Sequence, residues 1–248
     1  MNSIYIGFVY KYIMEYLHEN YDLSKKISKK SRKAQKIISI LNEFKKLHNC
    51  NVLDIGSGTG IIANKLSKHF KKVYGVDVSD YRIIKEGYIF KKINDEKLPF
   101  KNKFFDVVIS NQVIEHVNDQ DKHLNEISRI LKDDGICYLA TPNKYWIIEP
   151  HYYLPFLSIL PRKIANIYLR FFENKDYDAY ILSYNQLYKI LKKYFIINDI
   201  TIKTIYNSKK YHLNKDFKFI PKSIIKFIPK SILNYLLPSF IMILKKRF

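Results

Sequence analysis

Three glycines stand within five positions directly after a short apolar run, in the stretch NVLDIGSGTG at residues 51–60. The chain has only 7 glycines in 248 residues, so their concentration here needs a reason. Glycine permits a tight turn and lets another group approach the backbone closely. A strand, such a turn and a helix together direct backbone N–H groups at a bound ligand. The stretch therefore predicts a ligand-binding turn made by Gly56, Gly58 and Gly60.

Two carboxylates accompany this turn. Asp77 ends the next apolar run, VYGVDV, at a point where a carboxylate can accept both hydroxyls of a ribose. The alternative for Asp77 is a charge at the start of a following helix. Asp54 stands two residues before Gly56, and a carboxylate there suits a cationic group better than a pyrophosphate. A nucleoside joined to an amino acid satisfies both carboxylates, and S-adenosylmethionine is such a molecule.

Two histidines are candidates for work on a second substrate. His116 follows the strand-like run FDVVISN, and His151 lies in the segment EPHYYLPF. Imidazole can take a proton from a poor nucleophile such as an alcohol, so both histidines are predicted catalytic residues. His116 could instead serve only to start a helix. His151 could instead be a surface residue beside tyrosines that pack in the core.

Short apolar runs alternate with helical patterns through the middle of the chain. The predicted strands are NVLDIG, KVYGVDV, IFKKIN, FDVVISN, ICYLATPN, IINDITI and SFIMILKK. Strands that alternate with helices favour right-handed βαβ units and a mostly parallel sheet. The segment SDYRIIKEGY is predicted to be a short helix, and the helix that precedes ICYLATPN is predicted to end at Gly135.

These motifs together resemble a known family, the class I S-adenosylmethionine-dependent methyltransferases of the small-molecule type 11 kind. VLDIGSGTG and VYGVDVS resemble its first two motifs, NDEKLPFKNKFFDVVISNQVIEHV its third and fourth, and ISRILKDDGICYLATPN its fifth. The resemblance covers residues 50–145. It implies S-adenosylmethionine as the cofactor. It also implies an α/β fold with a doubly wound, mostly parallel, seven-stranded Rossmann-like sheet, an antiparallel last strand and a helical insertion near the C-terminus.

The resemblance also implies which residues bind the cofactor. Gly56 and its neighbouring backbone would hold the methionine part, with Asp54 near its ammonium. Val78 would line the adenine, and the backbone of Asn111 would lie beside the methionine carboxylate. The whole implied set is Asp54, Gly56, Ser57, Gly58, Gly60, Asp77, Val78, Asn94, Asp95 and Asn111. The family usually has Asp where this chain has Asn94, which leaves the contact with the adenine amine open.

No bound metal is predicted. Some relatives carry Glu-x-x-Glu-His after the fourth strand and bind a divalent metal there, whereas this chain reads QVIEH at residues 112–116. An amide thus replaces one carboxylate, and a hard cation would lose a charged oxygen ligand. The Asn/Asp-Pro-Pro-aromatic run of nucleobase N-methyltransferases is replaced by SNQV at residues 110–113, which disfavours nucleobase amines as acceptors.

The positive charge lies at two places. The formal net charge is +20, and residues 25–46 and 201–248 carry nine and eleven Lys or Arg against one acidic residue each. Such stretches bind anionic lipid, nucleic acid or an acidic substrate, or they reflect a chain that is rich in lysine throughout. Cys50 and Cys137 are predicted to be reduced and unpaired.

The chain divides into four predicted parts. Residues 1–48 form N-terminal helices that cap the core, and 49–207 form the cofactor-binding core with an acceptor-side segment at 145–180. Residues 208–238 form a basic amphipathic insertion, and 239–248 the last strand. The insertion has the composition of a helix at a lipid interface, or it is a lid or a dimer surface.

The predicted function is methyl transfer to a small-molecule or lipid-linked acceptor, with oxygen as the favoured acceptor atom. The alternatives are an RNA-directed methyltransferase, which would show steeply salt-dependent RNA binding, and a non-catalytic binding protein, which would have lost the cofactor. Nucleic acid is the less favoured partner. The sequence predicts neither a secretory leader nor a membrane span. The predicted location is therefore cytoplasmic, with peripheral contact at the inner face of the membrane if the insertion binds lipid.

Overall fold

Seven strands form one sheet in the computed structural model, which describes residues 23–213, 225 and 227–247. They are β1 (Asn51–Ile55), β2 (Lys72–Asp77), β3 (Ile89–Lys92), β4 (Phe105–Asn111), β5 (Leu131–Pro142), β6 (Phe195–Asp199) and β7 (Ser239–Lys246). Their order is β3-β2-β1-β4-β5-β7-β6. The first five strands run parallel, and β7 is antiparallel to both β5 and β6. This confirms the predicted doubly wound α/β fold with an antiparallel last strand.

Helices connect the strands and cover both faces of the sheet. They are α1 (Leu23–Leu41), α2 (Ile61–Leu66), α3 (Gln120–Ile130), α4 (Arg162–Glu173), α5 (Tyr184–Leu191), α6 (Thr201–Tyr206) and α7 (Lys230–Leu236). Helix α5 begins with a capping box, in which the Ser183 side chain accepts from the backbone of Gln186 and the Gln186 side chain accepts from Ser183 N–H. The short helix α6 has no counterpart among the sequence-based predictions.

One predicted helix is absent. The segment SDYRIIKEGY, at residues 79–88, forms bends and no helix. The Asp80 carboxylate accepts from the guanidinium and the backbone N–H of Arg82. The N–H groups of Ile83 and Ile84 donate to the carbonyl of Thr59, at 2.9 and 3.1 Å. These N–H groups thus serve the glycine turn and are not available for a helical ladder.

The prediction that the helix before β5 ends at Gly135 is also wrong. Helix α3 ends at Ile130, and Leu131 already has extended backbone and pairs with Phe105 of β4. Leu131 is fully buried, so burial of its side chain in the sheet outweighs the helical pattern of the residues that follow. Gly135 lies inside the strand.

Two apolar layers enclose the sheet. One cluster joins α1 and α2 to the strands, with Ile37 and Leu66 fully buried. The other joins α3 and α5 to the opposite face, with Ile127 and Leu191 fully buried. A third, smaller cluster lies within the predicted acceptor-side segment and consists of Leu154, Leu157, Ala165, Leu169, Tyr177, Ala179 and Ile181. The acceptor-side segment therefore has its own small core.

Both cysteines are buried and free, which confirms the prediction that they do not pair. Cys50 directly precedes β1 and Cys137 lies in β5, with β4 between these two strands. A disulfide requires Cα atoms within about 7 Å, which an intervening strand prevents.

The predicted insertion is described only in part, because residues 214–224 and 226 lie outside the described residues, as does the N-terminal helix predicted before residue 23. Helix α7 is in the described part and follows Pro229. Its Leu233 is buried with Ile205, Ile225 and Leu237. No described helix is long and apolar enough to cross a membrane.

Candidate active site

A cavity of about 360 Å³ opens where the carboxyl ends of β1, β2 and β4 meet. Six residues predicted from the sequence line it: Gly56, Asp77, Val78, Asn94, Asp95 and His116. Six further predicted residues do not line it: Asp54, Ser57, Gly58, Gly60, Asn111 and His151. Of these, Asp54 lies in β1 and the next three belong to the turn that follows it. The lining also includes Glu96, Leu98, Gln112, Val113 and His123, which sequence reasoning missed. The first four lie within the third and fourth motifs, and His123 lies in α3.

Backbone hydrogen bonds hold the glycine turn against the end of β2. The N–H groups of Gly56 and Ser57 both donate to the carbonyl of Val76, at 2.9 and 3.1 Å. The N–H of Gly58 donates to Asp77 Oδ2 at 2.8 Å. The Asp77 carboxylate is therefore oriented at the mouth of the cavity. Since no helix follows β2 before residue 89, the alternative role of Asp77 as a helix-start charge loses its basis.

Two buried polar atoms beneath the turn have no hydrogen-bond partner among the described residues: Asp54 Oδ2 and Ser57 Oγ. Burial raises the pKa of Asp54 to about 7, and the neighbouring Lys30 only partly offsets this effect. Buried polar groups without partners are costly in a folded protein. An ammonium and a carboxylate from a bound amino acid would supply the missing partners, so this turn fits the methionine part of S-adenosylmethionine.

Two histidines meet beside the cavity. His116 ends the short 3₁₀ turn Ile114–His116 after β4, and His151 lies in the loop after β5. Their Nε2 atoms are 3.1 Å apart, and their rings are nearly perpendicular. His116 lines the cavity and His151 does not. Contact between them thus links the cavity to the segment that the sequence predicts to lie on the acceptor side.

Two buried glutamates support this pair. His151 Nδ1 lies 2.6 Å from Glu149 Oε1, and the other Glu149 oxygen accepts from the N–H groups of His151 and Tyr152. Glu115 Oε2 accepts from the Thr141 hydroxyl at 2.9 Å. Glu115 Oε1 lies 4.0 Å from His151 Nε2 and has no hydrogen-bond partner among the described residues. The sequence analysis considered Glu115 only as part of a metal motif that it set aside, and it missed Glu149, although Glu149 stands two positions before His151.

Burial and mutual contacts shift the pKa values of Glu115, His116 and His151. Burial raises the pKa of Glu115 to about 7. Burial, and after it the charge of His151, lowers the pKa of His116. Burial alone would lower the pKa of His151, but the hydrogen bond and charge of Glu149 outweigh it and raise that pKa. With Nδ1–H donated to Glu149, the Nε2 atom of neutral His151 carries a lone pair, which can accept from His116 Nε2–H or bind a cation.

We expect Asp77→Ala to weaken binding of S-adenosylhomocysteine, measured by calorimetry, by about 1.5–3 kcal/mol, the scale of hydrogen bonds to a charged group. Asp77→Asn keeps an acceptor for Gly58 N–H and should lose less. The matched control is Asp80→Ala, because Asp80 pairs with Arg82 outside the cavity. Equal affinity in Asp77→Ala and the control would contradict the ribose role of Asp77.

Comparisons with known proteins agree with this geometry. A family model described as a methyltransferase domain matches residues 11–194, more than half of the chain. The chain is 33% identical to a ubiquinone biosynthesis O-methyltransferase of Pelagibacter ubique, over 50% of this chain and 58% of that protein. It is 38% identical to an uncharacterised protein of Methanocaldococcus jannaschii, over 46% of this chain and 51% of that protein. The chain thus spans about half the length of these curated relatives.

Solved structures share the fold. The YcgJ protein of Bacillus subtilis aligns over 87% of this chain and 99% of its own, with 19% identity and a TM-score of 0.53. The phosphoethanolamine N-methyltransferase 2 of Haemonchus contortus, solved with phosphomonomethylethanolamine and S-adenosylhomocysteine, aligns over 86% of this chain and 53% of its own. Its identity is 19% and its TM-score 0.53. At this identity the likeness concerns the fold alone.

Proposed function

The chain belongs to the class I S-adenosylmethionine-dependent methyltransferase family, and on that premise we propose that it transfers a methyl group to a hydroxyl of a small-molecule or lipid-linked acceptor. The observation that carries the proposal is the contact between His116, which lines the cofactor cavity, and His151, which belongs to the acceptor side. A hydroxyl is a poor nucleophile and needs help to lose its proton. Two imidazoles backed by two buried carboxylates can provide that help.

The residues proposed to bind the cofactor contribute by holding it in a fixed position. When bound, S-adenosylmethionine supplies a methyl group on a sulfonium, which is itself strongly electrophilic. Asp54 and Ser57 would bind the amino-acid end, and Asp77 the ribose, so that the methyl group faces the acceptor. Alignment of two reactants can lower a barrier by about 7–11 kcal/mol. The protein's main task in this reaction is therefore to fix geometry.

The histidine and glutamate side chains act on the acceptor. As the acceptor oxygen forms its bond with the methyl carbon and the carbon–sulfur bond breaks, the hydroxyl proton leaves that oxygen. The group of Glu115, His116, Glu149 and His151 stands beside the cavity and either takes this proton or lowers the pKa of the hydroxyl that loses it. The similarity to the Pelagibacter relative, an O-methyltransferase of ubiquinone biosynthesis, supports oxygen as the acceptor atom.

The test is an acceptor screen that measures release of S-adenosylhomocysteine. Phenols, catechols, aliphatic alcohols and amines are compared at equal concentration, each in soluble and lipid-linked form. We expect product only with hydroxyl acceptors. Methylation of amines alone would overturn the proposal, because an uncharged amine needs no base to attack a sulfonium.

We also propose that the protein binds its acceptor at an anionic lipid surface. Helix α7 buries Leu233 but exposes Ile232, Tyr235 and Leu236, and Phe227 before it is 86% exposed.

On the acceptor side, α4 exposes the stripe Ile164, Ile167 and Phe171, which recurs at helical spacing. The basic residues Arg162, Lys163 and Arg170 lie on the same helix. Apolar faces flanked by cations are typical of helices at lipid interfaces.

We expect the protein to sediment with vesicles that contain anionic lipid, and less so as salt rises, since each lysine near such a surface contributes about 1 kcal/mol. The variant Phe227→Ser with Leu236→Ser should bind vesicles several-fold more weakly. Ile196→Ser is the control, because Ile196 is also an exposed apolar residue but lies on β6. A wild-type protein that ignores anionic vesicles at low salt favours the lid or dimer interpretation.

A further inference from the structure

One buried oxygen beside the histidine pair lacks a partner. Glu115 is 0% exposed, its Oε2 accepts from Thr141, and its Oε1 makes no hydrogen bond with any described residue. A buried carboxylate oxygen without a donor is costly unless a cation or a proton satisfies it. His151 Nε2 lies 4.0 Å from this oxygen, which is too long for a hydrogen bond. The gap between these atoms is therefore suited to a third, cationic group.

The two imidazoles converge on the same gap. One ligand atom from each of Glu115, His116 and His151 lies within 4.8 Å of the others. The two Nε2 atoms are 3.1 Å apart. Two imidazole nitrogens bound tetrahedrally to one Zn²⁺, at about 2.0–2.1 Å each, lie roughly 3.4 Å from each other. A small outward movement of the rings would thus bring both nitrogens to bonding distance of a single ion.

The surroundings already orient these atoms as they would in a metal site. Glu149 Oε1 lies 2.6 Å from His151 Nδ1, so that Nε2 carries its lone pair toward the gap. Such carboxylate–imidazole pairs orient metal-ligating histidines and raise their basicity. Thr141 holds the second oxygen of Glu115 in the same way, leaving the first oxygen directed at the histidines.

We infer that Glu115, His116 and His151 bind one transition-metal ion of the zinc type, through a carboxylate oxygen and two imidazole nitrogens. Two nitrogen donors favour Zn²⁺, Co²⁺ or Fe²⁺ over Mg²⁺, which takes oxygen ligands. Three protein ligands leave a fourth position open for solvent or an acceptor oxygen. The sequence predicted no metal because Gln112 replaces a carboxylate, but here the third ligand comes from the loop after β5.

The catalytic meaning of this ion rests on the proposed function. An acceptor hydroxyl at the open position would have its pKa lowered by the ion and lose its proton more readily. The histidines then act as ligands, and the proton passes from the acceptor oxygen to solvent. The binding site itself does not depend on which acceptor is methylated.

The experiment is a Co²⁺ titration of the full chain, without a histidine tag and after removal of metal with a chelator. Ligand-field absorption in the visible range and calorimetry report binding without acceptor or cofactor. We expect one equivalent of Co²⁺ per chain, displaced by Zn²⁺ but not by millimolar Mg²⁺. Absence of Co²⁺ binding would overturn the inference, because the two histidines would then only share a proton. Displacement of Co²⁺ by millimolar Mg²⁺ would also overturn it.

Variants locate the ion. Glu115→Gln and His151→Ala should weaken Co²⁺ binding at least about 10–100-fold, and Glu149→Gln, which only orients His151, by a similar factor. The controls are Glu86→Gln and His69→Ala, both exposed and outside the site. Unchanged Co²⁺ affinity in Glu115→Gln would also overturn the inference. Because Glu149→Gln keeps both imidazoles and the buried Glu115, it remains informative if His151→Ala fails to fold.

Failure of this inference is distinguishable from failure of the proposed function. If the chain binds no Co²⁺ but releases S-adenosylhomocysteine with a hydroxyl acceptor, the proposed function stands and the inference of a metal site fails. If the chain binds Co²⁺ through Glu115 but methylates only amines, the metal site stands and the proposal of a hydroxyl acceptor fails.

Discussion

His151→Ala should lower the turnover number about 10²–10⁴-fold, the usual contribution of a positioned group that handles the proton. Its Kd for S-adenosylhomocysteine should stay within about twofold of the wild-type value, because His151 does not line the cofactor cavity and a difference of that size is below 1 kcal/mol. The physical reason is that His151 is held by Glu149 and touches His116 on the acceptor side. Single-turnover kinetics and calorimetry on the same preparation measure the two quantities.

The control for His151→Ala is His69→Ala. His69 is exposed and lies three residues before β2. It is therefore near the amino end of that strand, away from the cavity at the carboxyl ends, and its loss should change neither quantity. If His151→Ala loses turnover and cofactor affinity together, or neither, His151 does not act on the acceptor.

Gly60→Ala should destabilise the fold by about 3 kcal/mol. Gly60 has φ +76°, and a Cβ atom there would lie 2.1 Å from the carbonyl oxygen of Ile84 and 2.2 Å from the Tyr88 hydroxyl. The left-handed conformation costs roughly 1–2 kcal/mol for a residue with a side chain, and overpacking adds about 1–3 kcal/mol. Urea unfolding followed by circular dichroism gives the free energy of unfolding.

Gly58→Ala is the matched comparison. Gly58 also has positive φ, +51°, but a Cβ atom there would meet only Gly56 O, at 3.9 Å. Only the conformational cost applies, so the expected loss is about 1 kcal/mol. Equal losses in the two variants would show that close packing against Ile84 does not explain the glycine at position 60.

Much of the architecture could be predicted because short-range patterns in the sequence determine it. Apolar runs of strand length and their alternation with helices decide which segments enter a parallel sheet, and β7 was predicted from its apolar pattern at Ser239–Lys246. The exceptions show what local pattern omits. SDYRIIKEGY has helical spacing, but its N–H groups are taken by the carbonyl of Thr59, a contact that exists only once the turn after β1 has formed.

The cofactor side of the site was largely readable from the sequence. The glycine turn and Asp77 sit at fixed offsets from two neighbouring strands, and parallel strands bring their carboxyl ends to the same edge. Local order therefore places Gly56, Asp77 and Val78 at one cavity. Their roles in binding S-adenosylmethionine remain predictions.

The acceptor side was decided by the tertiary structure. The sequence alone showed two histidines 35 residues apart but not that they touch, since their contact depends on how the loop after β5 folds back over β4. Nor could it show that Glu115 and Glu149 are fully buried, because burial of a carboxylate depends on what packs around it. The spacing of the glycine turn, Asp54 and Asp77 along the sequence predicted a site for a nucleoside joined to an amino acid. Only the packing of distant segments brought two imidazoles and an unpartnered carboxylate oxygen close enough together to act on one bound group.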